Sequence, residues 1–191
     1  MGGSPGADPR LVRMAHLRLV PIYASGESHL LEPLARRLGQ IFDLQVDTHI
    51  PTFDPESAFD AGRGQYNSTM LLAQLLREPI DAGRMLGVTG VDLFIPVLTY
   101  VFGEAQLDGR AAVVSSHRLA PEGYGLPANP DLLFRRIVKE AVHELGHTYG
   151  LVHCDRPVCV MARSTYVEEI DLKGDSFCPR CRDVVRKAPA R

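Results

Sequence analysis

The stretch His143-Glu-Leu-Gly-His-Thr-Tyr-Gly-Leu-Val-His153 constrains this chain more than any other part of its 191 residues. His143 and His147 stand four apart, so on a helix their imidazoles lie on one face and can share a metal ion. Glu144 follows the first histidine directly, where its carboxylate can face a water on the metal rather than the metal itself. Gly150 is the residue type most able to take a positive φ, which lets the chain leave the helix and turn back. His153 then arrives as a third ligand. Three neutral nitrogens leave one position of a tetrahedral zinc open, the arrangement of a catalytic rather than a structural site. A bare HExxH fixes only three positions and does arise by chance, but Gly150 and His153 at the correct offsets make coincidence a poor account. The other histidines, His16, His29, His49 and His117, read as ordinary surface or core side chains.

The flanking residues predict the helix that this spacing needs. Asn129-Pro130-Asp131 offers an N-cap, a proline at the first helical position and an acid near the positive end of the helix. From there Leu133, Phe134, Ile137, Val138, Ala141, Val142 and Leu145 recur at helical spacing, while Glu140, Glu144 and His147 fall on other arcs. One helix is thus expected to serve as core beam and as rigid platform for the metal.

All four cysteines of the chain follow at once: Cys154, Cys159, Cys178 and Cys181. Three readings compete. Two disulfides are possible, but no secretory signal is apparent and cytosolic thiols stay reduced. A redox pair at Cys178-Pro-Arg-Cys181 leaves the first two cysteines without a role. A four-cysteine zinc site employs all four, and it is the reading we favour. Such a site is closed and therefore structural. Cys154 adjoins His153, so the two metals are tethered through adjacent residues, and we expect separate sites rather than a bridged pair.

The combined pattern HExxHxxGxxHC, then Cys159-Val-Met161, then Cys178-x-x-Cys181, resembles the archaemetzincin family of metzincin-like zinc metalloproteases. Similarity continues in Arg63-Gly-Gln-Tyr-Asn-Ser68, in Leu86 to Leu93 and in Phe102-Gly-Glu-Ala105, and spans roughly residues 14 to 187. The 16 residues between Met161 and Cys178 are close to the family interval. The resemblance implies an α/β (α+β) zincin fold with a twisted, mostly parallel sheet and one antiparallel edge strand. It also implies an active-site helix, a Met-turn at Met161 beneath the catalytic zinc, and a C-terminal helix. His143, His147 and His153 would hold the catalytic zinc, the four cysteines a second zinc, and Glu144 would act as general base in peptide hydrolysis. An edge strand lining the cleft would pair with an extended peptide.

The rest of the chain sets bounds. Residues 1–13 read as a tail and 14–191 as one catalytic domain, with an upper part to about 150 and a lower, zinc-stapled part over 151–191. A formal net charge of −2 names neither nucleic acid nor an anionic membrane as partner. No apolar run reaches a membrane-spanning length. The expectations are a cytoplasmic monomer acting on peptide or protein substrates, aminopeptidase-like or of narrow specificity. The acidic residues Glu168, Glu169, Asp171 and Asp175 either attract a basic group or form a solvated loop. The alternative function is a non-catalytic zinc module that binds peptides, against which the presence of Glu144 counts. Strands are expected at Leu17–Tyr23, Leu44–Ile50 and Arg84–Val88, and helices at Leu30–Phe42 and Ser68–Arg77, the latter with Ser68 as its cap. A turn is expected at Asp92–Phe94, and a hairpin about Asp108-Gly109, either arm of which could receive substrate.

Overall fold

The computed structural model describes residues 16–23, 28–79 and 83–189, so the tail expected over residues 1–13 lies outside it. Its centre is a five-stranded sheet. Strand β1 (His16–Ile22) leads to helix α1 (Ser28–Phe42) and strand β2 (Gln45–Thr48). Strands β3 (Phe59–Asp60) and β4 (Gln65–Asn67) precede helix α2 (Ser68–Leu75), strand β5 (Arg84–Thr89) and strand β6 (Leu93–Phe94). The hairpin of β7 (Gly103–Ala105) and β8 (Ala111–Ser115) completes the sheet. Helices α3 (Pro130–Thr148), α4 (Val167–Leu172) and α5 (Pro179–Lys187) follow. The main sheet runs β2-β1-β5-β8-β7, parallel through β8, with β7 antiparallel at the edge.

Burial explains the order. β5 and β8 are buried at every position, as central parallel strands covered on both faces must be. Helices α1 and α3 cover one face, packing Leu34, Leu38, Ile137, Ala141 and Leu145 on Leu17, Leu19, Leu86 and Val114. Helix α2 covers the other with Leu71, Leu72 and Leu75 against Val20, Ile22 and Val113. Among the described residues no helix is long and apolar enough to cross a membrane.

Four local expectations change. The stretch Pro51–Gly64, whose proline, glycine and aspartate content makes a loop the expectation from sequence, carries a 3-10 turn (Pro55–Ala58) and strand β3. The turn expected at Asp92–Phe94 holds strand β6, and β3, β4 and β6 form a small second sheet. Helix α2 is capped by Asn67, whose side chain accepts from the Met70 amide at 3.2 Å, while Ser68 is buried with its hydroxyl against Phe94 O and Glu104. The hairpin turns over four residues, 107–110, because Gln106 N still donates to Ala111 O. Asp108, at φ 49°, donates its amide to His147 O at 2.9 Å and so ties the hairpin to the end of α3. Since β8 sits between β5 and β7, only the β7 arm has a free edge.

Candidate active site

Helix α3 begins as expected, with the Asn129 side chain accepting from the Leu132 amide at 3.0 Å and Pro130 at its first position. Its buried stripe on the sheet turns His143 and His147 toward one side. Gly150 leaves the helix at φ 84°, and His153 joins the two helical histidines. One nitrogen from each lies within 4.8 Å of the others. His143 Nδ1 lies 2.9 Å from Val160 O, and His147 Nδ1 lies 2.7 Å from Leu151 O. A carbonyl can only accept, so both Nδ1 atoms carry the proton and both Nε2 atoms present lone pairs. Those Nε2 atoms are 3.1 Å apart, a separation that repels unless a cation lies beside them. Burial holds all three imidazoles below their ordinary pKa, with Lys173 adding to the effect on His143, and His147 and Arg163 adding to it on His153. Neutral, converging nitrogens, on one buried, one half-buried and one exposed ring, with two tautomers fixed by carbonyls, fit a zinc ion reached from the cleft.

Glu144 is buried beside them. Burial and the neighbouring Glu140 charge push its carboxyl well above the ordinary range, against the pull of Lys173. Glu140, one turn earlier, forms an ion pair with Lys173 at 2.8 Å, and both side chains are almost wholly buried. Lys173 Nζ also lies 3.3 Å from Ala162 O, joining α3 to the loop after Met161. Removing one partner of such a pair leaves an uncompensated buried charge. Lys173→Met is therefore expected to cost about 3–5 kcal/mol, measured by denaturant unfolding, and a loss under about 1 kcal/mol would mean that water reaches the pair.

Met161 is fully buried against the helix, with its sulfur where a side chain at Gly146 would have to go. Gly103 plays the corresponding part on the strand side. A Cβ there would meet Glu144 Cγ at 2.7 Å, so only glycine lets β7 pass this close to the carboxylate.

The four cysteines come together as a separate cluster, unbonded to one another, with all sulfurs within 4.8 Å. Cys154 Sγ and Cys178 Sγ are 3.9 Å apart, far beyond a disulfide. A tetrahedron of sulfurs about 2.3 Å from zinc has edges of about 3.8 Å. The Cys178 amide donates to Cys159 Sγ at 3.4 Å and Arg180 to Cys154 Sγ at 3.5 Å, contacts that favour thiolates. Burial opposes ionisation of Cys178, yet the Cys181 amide and the neighbouring thiols bring it down to about 7. Cys154 N donates to Met161 O at 2.8 Å, so the cluster holds the loop bearing His153 against the Met161 segment.

This geometry agrees with the comparisons. The model of peptidase family M54 matches residues 49–187. The chain belongs to peptidase family M54. The archaemetzincin of Methanocaldococcus jannaschii is 42% identical over 153 residues, covering 80% of this chain and 83% of that protein. The crystal structure of archaemetzincin from Methanopyrus kandleri superposes with a TM-score of 0.81 at 36% identity, covering 94% of this chain and 97% of that one. A zinc-dependent peptidase from Methanocorpusculum labreanum superposes with a TM-score of 0.79 at 32% identity, covering 88% and 99%.

In this M54 chain the cleft beside His147 and His153 measures about 800 Å³ and is walled by Leu98–Gly103, Ala105, Leu107, Val152 and residues 163–166. The segment Arg63–Ser68 shapes that wall from behind, with Arg63 donating to Leu98 O at 3.0 Å and Gln65 to Thr99 O at 3.0 Å. Most of the acidic segment is engaged elsewhere. Glu169 accepts from the Thr165 and Tyr166 amides, Asp171 pairs with buried Arg136, and Asp175 pairs with Arg37. Sequence reasoning missed Gly103, Gly146 and the Glu140–Lys173 pair. Gly103 lay within the family-like Phe102–Ala105 segment and Gly146 within the histidine motif, but neither signal named a reason.

Proposed function

We propose that this M54 metallopeptidase hydrolyses peptide bonds at a zinc ion held by His143, His147 and His153, with Glu144 as general base. A second zinc on Cys154, Cys159, Cys178 and Cys181 is structural. The observation that carries the reading is the placement of Glu144, buried beside three convergent imidazole nitrogens and directly under a free strand edge. When bound, the zinc at the histidines supplies a Lewis acid that polarises the scissile carbonyl and makes water more acidic.

The chain's own groups supply the rest. Burial and Glu140 raise the Glu144 carboxyl, and a nearby cation lowers it again, which brings its proton affinity toward the working pH. Its carboxylate takes the proton of the attacking water and then gives it to the leaving nitrogen. The edge of β7 offers unpaired amides and carbonyls to an extended peptide, a backbone-based affinity that tolerates sequence. Antiparallel pairing, as β7 makes with β8, lays the substrate's N-terminal side along Ala105–Leu107 and its C-terminal side along Tyr100–Gly103. Met161 packs under α3 at Gly146 and supports the two helical histidines from below.

Of the two specificities expected, narrow selectivity is better supported than removal of N-terminal residues. The two carboxylates lining the cleft are Glu140, taken by Lys173, and Glu144, so neither is left to bind a free α-amine. The test is a mixed peptide library with free and acetylated N-termini, offered to the zinc-loaded chain and to the chelated one. Cleavage of a subset of sequences regardless of N-terminal blocking, lost on chelation, is expected. Cleavage confined to free N-termini would establish an aminopeptidase. No cleavage with both zincs bound would favour the peptide-binding module.

A further inference from the structure

Among the cationic side chains around the cleft, Arg163 differs in having no hydrogen-bond or ion-pair partner among the described residues. Arg118 is bound to Asp92, Lys173 to Glu140, Arg136 to Asp171, and Lys139 donates to the carbonyls of Ile170 and Asp171. Arg163 lines the cleft, is exposed, and has no hydrogen-bond or ion-pair partner among the described residues. It lies close enough to His153 for its charge to help keep that imidazole neutral. With Glu140 neutralised and three of the four carboxylates of the acidic segment engaged elsewhere, Arg163 is the cation left to meet a substrate along this wall, while Glu168, whose charge is felt at Tyr100, lies outside the cleft lining.

We propose that Arg163 makes the end of the cleft beyond the scissile bond a carboxylate-binding subsite. Peptides carrying an acidic side chain or a free C-terminus on that side are then preferred. The inference rests on the peptidase reading and on antiparallel pairing with β7, which puts the substrate's C-terminal side next to Tyr100 and the 163–166 segment. Three features suit a carboxylate there. Guanidinium matches it with two parallel N–H donors. Ser164 lines the same wall, and its Oγ, buried and without a hydrogen-bond partner, becomes a donor to the cleft on rotation about χ1. The exposed ring of Tyr166 beside it gives the aliphatic part of a glutamate an apolar surface. The cleft volume of about 800 Å³ accommodates several residues of peptide, so the carboxylate need not come from the residue next to the cut.

The preference is opposite to the one an acidic cleft would show, and it can be read as a ratio. Peptide pairs differing only by Glu or Gln at each position, each with a free or an amidated C-terminus, are offered to the zinc-loaded chain, to Arg163→Gln and to Arg163→Lys. The expected kcat/KM is roughly tenfold higher for the carboxylate-bearing member on the C-terminal side of the cut. Arg163→Gln erases that ratio and Arg163→Lys keeps part of it. The Glu/Gln arm and the acid/amide arm tell side chain from terminus. Equal kcat/KM within every pair, or a preference that survives Arg163→Gln, overturns the proposal.

If no peptide is cleaved, the peptidase reading has failed rather than this one. Binding of the same pairs to zinc-loaded Glu144→Gln, with and without Arg163→Gln, then decides it by the same ratio in Kd. Arg163 is exposed and has no partner to lose among the described residues, so the variant folds as the parent does.

Discussion

Glu144→Gln leaves the chain folded and able to hold both zincs while lowering peptide hydrolysis by about 10²–10⁴-fold, the usual contribution of a positioned general base. Glutamine keeps the shape of the buried side chain and of its approach to Gly103, but its amide cannot take a proton from water. Inductively coupled plasma analysis of zinc content alongside the peptide assay separates this from loss of metal. A second readout comes from the metal-free form. The folded-state pKa of Glu144 is raised, so as pH climbs past the ordinary carboxylate range the unfolded chain releases a proton that the folded chain retains, and stability falls. The histidines titrate in wild type and in Glu144→Gln alike, so comparing the two cancels their contribution to the slope. The melting temperature of chelated wild type should therefore fall relative to that of chelated Glu144→Gln as pH rises above the ordinary carboxylate range. Full activity in the variant would place the base elsewhere, and identical slopes would mean that Glu144 is solvated in the metal-free chain.

What could be read in the sequence were features whose cause is local. Helix α3 was legible because Asn129, Pro130 and the apolar stripe all lie within it, and the hairpin because Asp108-Gly109 breaks two apolar runs. Both clusters of metal-ligand type were legible because ligand spacing is itself the signal. Strands β3, β4 and β6 were not, since two or three residues carry no periodicity. The cap of α2 was misplaced by one residue because Asn67 and Ser68 are both cap formers, and only burial of Ser68 against Glu104 decides between them. Gly103, Gly146 and Lys173 escaped because what each must fit, namely Glu144, Met161 and Glu140, is distant in sequence and met only after folding. The acidic segment was the converse case. Its charges were plain, but Arg37, Arg136 and two backbone amides turn three of its four carboxylates into internal contacts.

Cys154→Ser is expected to cost the chain the zinc proposed at the four cysteines and, through the neighbouring His153, most of its activity. A structural zinc contributes about 10–16 kcal/mol of apparent binding free energy in small zinc-finger domains, so losing even part of that is large against a total stability of about 5–15 kcal/mol. The damage should be regional. The core between α1, α3 and the main sheet shares one apolar cluster with the cysteines but is also tied by the strand ladders, whereas residues 151–181 are held by the cysteine cluster, by the ion pairs of Lys173 and Asp171, and by backbone bonds such as Cys154 N to Met161 O. Limited proteolysis should then cut within 151–178 and spare α3. Zinc content should fall toward one per chain, and kcat should drop as His153 loses its fixed position. Cys181→Ser is the informative partner, because it removes a ligand without touching the residue beside His153. Equal loss of activity in both would assign the effect to the zinc itself, and a much milder loss at Cys181 would assign it to the backbone at Cys154. Thiol titration closes the alternatives: four thiols shielded until a chelator is added fit zinc, and two that react without one fit a redox pair. If Cys154→Ser retains two zincs and an unchanged melting temperature, the cysteine cluster is not a metal site.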